Sequence, residues 1–108
     1  MAKQKALIEI ADKEYTLEFD RNSIVFAEEV IGFNLAKYDE TPVASAYKLF
    51  AGGLQKNHPQ IKVENKVKLL DTYKDEGGDV EELLGFLIEA YVGFLQTTQK
   101  PTKTIQIL

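Results

Sequence analysis

Apolar and polar residues alternate with a period of two near the start of the chain and settle into three- and four-residue steps further on. Ala6-Leu7-Ile8-Glu9-Ile10-Ala11 is broken by Asp12-Lys13-Glu14, and Tyr15-Thr16-Leu17-Glu18-Phe19 then alternates strictly. This pattern predicts a β-hairpin over residues 6–19, with Tyr15, Leu17 and Phe19 on one face and Thr16 and Glu18 on the other. One side of such a ribbon must be covered by apolar surface, and the rest of the chain offers only helices for that task.

Asp20-Arg21-Asn22-Ser23 is rich in helix-capping residue types, and Ile24, Ala27, Val30 and Ile31 follow at helical spacing. They predict a helix over about 23–31 that stops at Gly32, with Phe33 folding back on it. Thr41 as cap and Pro42 as first helical residue open a second helix to about residue 56, with Val43, Ala46, Tyr47, Phe50 and Leu54 as its apolar stripe. Gly52-Gly53 should weaken its last turn by about 1 kcal/mol per glycine. Val63, Val67, Leu70 and Tyr73 describe a one-sided surface helix over 63–75, closed by Gly77-Gly78. Asp79 with Glu82 has the spacing of a capping box and opens a fourth helix over 79–96. Residues 97–108 read as a flexible polar tail, although Ile105, Ile107 and Leu108 make its end apolar. The expected fold class is therefore α+β and mostly α-helical, an N-terminal hairpin followed by about four helices in one domain over 1–96.

Length agrees, since 108 residues suffice for a single core and not for two. With 44% hydrophobic and 28% charged residues the chain is globular in composition rather than disordered. Thirteen Lys and Arg against seventeen Asp and Glu give a net charge of -4, which argues against a nucleic-acid footprint. The absence of cysteine excludes disulfides, thiolate metal sites and a cysteine nucleophile, and suits a reducing intracellular setting. No apolar run is long enough for a membrane span, and MAKQK is not followed by the apolar core of a signal peptide.

Chemistry-bearing patterns are scarce. The single histidine, His58, precedes Pro59 at a helix end, where it is expected to cap carbonyls or face water. No serine lies in a Gly-x-Ser-x-Gly setting, so a hydrolytic triad cannot be assembled. Asp71, Asp75, Asp79 and Glu82 cluster around two glycines. A calcium loop counted from Asp71 would nevertheless place Tyr73, Asp75 and Glu76 where two further oxygen ligands and a glycine are required. Neither Gly-Gly pair has the spacing of a phosphate loop. Lys62, Lys66, Lys68 and Lys74 interleave with Glu64, Asp71 and Asp75 and read as a solvated face. No cofactor, metal or small-molecule substrate is expected.

The fourth helix carries the one excess. Its apolar residues sweep about 240° at roughly 100° per residue, about twice the stripe that docking on one core requires. The surplus calls for a central position in the domain, a second chain, or both. The centre of the arc, Leu87, Val80, Tyr91 and Phe94, is assigned to the core. The flank formed by Leu84, Ile88, Val92 and Leu95 is the candidate partner-binding face.

After the short hairpin, DRNSIVFAEEVIGFNL (20–35), the Thr41-Pro42 helix start, LFAGGLQKNHPQI (49–61) and DEGGDVEELLGFLIEAY (75–91) follow in order. Together they resemble the small tail assembly chaperones that long-tailed, siphovirus-like bacteriophages encode between their tail tube and tape-measure genes. The similarity spans residues 6–96 and lies in packing patterns around Phe33, Phe50, His58-Pro59 and the Asp79 helix. It implies a non-enzymatic, oligomer-forming protein of the host cell cytoplasm, absent from the mature virion. Such a protein binds the tape-measure protein and keeps it soluble while tail tube protein subunits assemble around it. A longer frameshifted form also belongs to what the resemblance implies. It carries over no catalytic residue. The alternative is a small phage structural protein, such as a head-tail connector or adaptor, built into the particle. A small enzyme fits least, for want of nucleophiles and ligands.

Overall fold

The hairpin closes through a two-residue turn in which Ala11 and Asp12 both have positive φ, 51° and 67°. That geometry matches the right-handed twist of the strands it joins. In the computed structural model, which describes residues 5–95 and 106–108, β1 spans Lys5–Ile10 and β2 spans Lys13–Glu18. They pair antiparallel with Leu7 opposite Thr16 and Ile10 opposite Lys13. Ile10, Leu17 and Phe19 reach the core, as the period-two pattern requires.

The outer face of β2 departs from the expected pattern. Glu18 is buried, held by Lys56 at 3.0 Å and by the Asn57 amide at 3.2 Å. Burial by itself would raise the Glu18 pKa. The hydrogen bonds from Lys56 and Asn57, with the charge of Lys56, outweigh it and hold the carboxyl below its ordinary value. His58 is also engaged here rather than capping carbonyls or facing water. Its Nε2 accepts the Thr16 backbone N–H at 3.0 Å, and its ring leans on Tyr15. The loop after the second helix therefore covers the outer edge of β2, together with the Glu18 side chain that alternation alone assigns to solvent.

The first helix, α1 (Arg21–Phe26), starts two residues earlier than the apolar spacing suggests, because Asp20 is the cap. The Ser23 N–H donates to Asp20 Oδ1 and the Asp20 N–H donates to Ser23 Oγ, both at 2.8 Å, a reciprocal box with serine in the usual Glu/Gln place. From Ala27 to Ile31 the helix widens to a π turn, and Gly32 ends it at φ 89°. The added residue per turn rotates the side chains beyond it about the helix axis, so Ile24 and Ala27 are buried while Val30 is 64% exposed. Phe33 then folds back as expected, its N–H bonded to the Ala27 carbonyl at 2.8 Å and its ring buried edge-on against Tyr91 and Tyr38.

The centre of the domain is α2 (Pro42–Leu54), not the fourth helix. Pro42 opens it, but the Thr41 hydroxyl bonds back to the Lys37 carbonyl and makes no cap. Leu49 to Leu54 is a continuous buried run, and only the first turn protrudes, leaving Val43 69% exposed. The expected weak point, Gly52-Gly53, is where neighbours come closest. A Cβ on Gly52 would lie 2.8 Å from the Ala27 Cβ, and one on Gly53 would lie 2.8 Å from Leu87 Cδ2 and 3.4 Å from Leu17 Cδ2. Small residues let α1, the hairpin and the fourth helix all approach one axis.

Helix α3 (Val63–Asp75) has the expected bounds, with Leu70 buried. Its lysines are not all solvated, however. Lys66 is fully buried, donating to Gln55 Oε1 with its ammonium 5.6 Å from the Phe26 ring centre. Burial pushes its pKa below the ordinary 10.5. Helix α4 (Val80–Leu95) begins with the Glu82 N–H donating to Asp79 Oδ1 at 3.0 Å, and the reciprocal bond from the Glu82 side chain is not found among the described residues. Gln96 and the tail residues 97–105 lie outside the described residues. Gln106–Leu108 are exposed and have no regular structure.

Candidate partner-binding surface

Helix α4 buries Leu83, Leu87, Ala90 and Tyr91, a stripe at i, i+4, i+7 and i+8. Val80 is half-buried against the same core. Phe94, assigned to the core by its phase, is instead 46% exposed. At 100° per residue it points in nearly the same direction as Leu83, so its rotation is right and its depth is wrong. The helix runs a turn past the elements that would cover it, and periodicity holds no information about where neighbours end.

The four flank residues divide in the same way. Leu84, Ile88 and Val92 are half-buried and pack against the edge of the core, whereas Leu95 is 57% exposed. The structure thus gathers exposed apolar surface at the C-terminal end of α4, in Phe94 and Leu95, rather than along its whole flank.

Beside Leu95 lies an open groove of about 460 Å³, lined by Glu28, Phe33, Asn34, Leu35, Ala36, Tyr91 and Leu95. Its far wall is the connector after α1, where the Asn34 side chain accepts the Ala36 N–H at 3.0 Å and starts a single 3-10 turn over Leu35–Lys37. That turn presents Leu35, 36% exposed, to the groove. At the base, the Tyr91 hydroxyl donates to Glu28 Oε2. Burial, and then the bond to Glu28 and its charge, raise the Tyr91 pKa far above the ordinary tyrosine value, so the hydroxyl stays protonated as a donor. The groove therefore mixes the apolar side chains of Phe33, Leu35 and Leu95 with at least as much polar surface, the Glu28 carboxylate on the π turn included. Sequence reasoning missed Leu35 and Glu28, because nothing local marks a connector leucine or a helix glutamate as a neighbour of Tyr91, far along the chain.

Among the described residues, no group of three or more His, Asp or Glu side chains is placed to hold a metal ion, and no helix is long and apolar enough to cross a membrane. A second pocket of about 310 Å³, lined by Asp20, Asn22, Ser23, Phe26, Gln55 and Lys56, lies over the Lys66 partners Gln55 and Phe26.

The hairpin with four helices behind it defines a small α+β domain. Residues 1–107 match the family model described as Domain of unknown function (DUF5055), and the chain belongs to that family. No curated protein and no solved structure matches it.

Proposed function

We propose that this protein is a phage tail assembly chaperone that binds the tape-measure protein and keeps it in solution while tail tube subunits assemble around it, in the host cytoplasm and without catalysing a reaction. The observation that carries this reading is the exposed apolar end of α4, Phe94 and Leu95, beside the groove walled by Leu35, Phe33 and Tyr91. An apolar stripe that outruns its own core suits the apolar face of a long client helix, packed stripe against groove. The sequence resemblance over residues 6–96 supports the same reading.

Co-expression with a siphovirus tape-measure protein from the same genome tests the proposal. The client should be soluble and co-purify with the wild-type chain, and both should be lost with Phe94→Glu or Leu95→Glu at unchanged helicity by circular dichroism. A client that stays insoluble beside the wild-type chain overturns the reading. Presence of the chain in purified virions, by mass spectrometry, would favour a connector or adaptor instead.

A further inference from the structure

The two edges of the hairpin are not alike. On β2, Thr16 sends its backbone N–H outward to His58 Nε2. Thr16 therefore belongs to a pair whose main-chain groups point away from the partner strand, and its opposite residue is Leu7. Leu7 accordingly turns its N–H and C=O to the outer edge of β1, and the alternation places those of Lys5 and Glu9 beside them. The β2 edge is covered by the loop carrying Lys56, Asn57 and His58. Among the described residues, the outward Leu7 groups meet no hydrogen-bond partner. Side chains record the same asymmetry. Leu7 is 62% exposed, and Ala6 and Ile8, which face the helices, are only half-buried, with no strand beyond them among the described residues.

One stretch of this chain has the complementary pattern. Thr104-Ile105-Gln106-Ile107-Leu108 alternates polar and β-branched residues before a terminal leucine, and the described Ile107 and Leu108 stand in solvent. We propose that Thr104–Leu108 of a second copy of this chain adds to the outer edge of β1 as a third strand. Its main chain pairs with Lys5, Leu7 and Glu9. Ile105 and Ile107 cover Ala6 and Ile8 on the core side, which sets Gln106 opposite Leu7 on the other, with Leu108 its diagonal neighbour. Gln96 to Lys103 spans about 26 Å when extended, enough to cross to a neighbour. Each copy offers both an edge and a strand, so the contact is head-to-tail and builds a ring or a chain of copies. This association goes beyond the client-binding reading and does not depend on it.

Sedimentation velocity on the purified protein alone tests it, comparing the full chain, a chain ending at Lys103, and Leu7→Pro. Proline deletes the outward N–H while the ladder bonds of Ala6 and Ile8 to β2 remain, a position an edge strand tolerates. Leu7→Lys replaces it if circular dichroism shows that the proline variant unfolds. The full chain should self-associate, and both changes should weaken association by about tenfold or more. Hydrogen exchange at the Leu7 amide should slow only in the associated full chain. Four results overturn the proposal: a full chain that is monomeric at every concentration, association unchanged by truncation, association lost on truncation but indifferent to both Leu7 variants, or a slowed Leu7 amide in a monomer.

Discussion

Glu76 holds the backbone N–H of Ala11 with both carboxylate oxygens, at 3.0 and 3.1 Å, joining the end of α3 to the tip of the hairpin across 65 residues of sequence. In a two-residue turn that N–H has no partner in the strand ladder, so the carboxylate supplies one. The bond is exposed and its net contribution is about 1 kcal/mol. Glu76→Ala should lower the stability by that amount. Ala11→Asn should raise it by a similar amount, because asparagine tolerates positive φ where alanine is strained. Urea midpoints decide both, and an Ala11→Asn midpoint below wild type would contradict this account of the turn.

Gly52 and Gly53 should respond differently to alanine, although each substitution gains about 1 kcal/mol of helix propensity. At Gly53 the new methyl meets the far end of the flexible Leu87 side chain, which can move. At Gly52 it meets the Ala27 Cβ, which is fixed to the backbone. Gly52→Ala should therefore destabilise by about 1–3 kcal/mol and Gly53→Ala by less. Adding Ala27→Gly should recover part of the Gly52→Ala loss. Equal thermal midpoints for the two single variants would contradict the contact geometry.

Two basic groups, the half-buried His58 and the buried Lys66, set a pH dependence. The His58 pKa lies below 6.5 because burial, and then the charge of Lys66, disfavours the imidazolium. Between that lowered value and 6.5 the unfolded chain binds more protons than the folded one, so stability rises with pH through this interval. It is fully present above pH 6.5 and is lost as pH falls below it, when protonated Nε2 can no longer accept from Thr16. Chemical denaturation across this range should show that loss in wild type and a flatter profile in His58→Gln. A wild-type profile that is flat below pH 6.5 would contradict it.

Lys66→Met should leave stability at pH 7 unchanged or raise it by about 1 kcal/mol, since replacing a buried ion by an apolar chain of similar length removes its desolvation cost. The half-buried Gln55 oxygen can then turn to water. The lowered Lys66 pKa adds a rise in stability as pH climbs towards 10.5, and that rise should vanish in the variant. A loss above 2 kcal/mol at neutral pH would mean that the contacts to Gln55 and Phe26 more than offset burial.

Phe33→Ala should cost about 3–5 kcal/mol, because the ring is 2% exposed and edge-on to Tyr91 at 5.1 Å between ring centres. The same change enlarges the groove beside Leu95. A calorimetric loss below 1 kcal/mol would place the ring outside the core.

Local chemistry settled the elements of this protein. Alternation fixed the hairpin, Pro42 and Asp79 fixed two helix starts, and Gly32 and Gly77 fixed two ends, because each acts on the backbone within a few residues of itself. Tertiary structure decided depth and company. It made α2 the central helix through Gly52 and Gly53, buried Lys66 and Glu18, turned His58 into an acceptor for a strand, and exposed Phe94 although its helical phase points inward. Periodicity gives the direction of a side chain around its axis. Whether anything stands in that direction depends on residues tens of positions away, and only the folded chain brings those together.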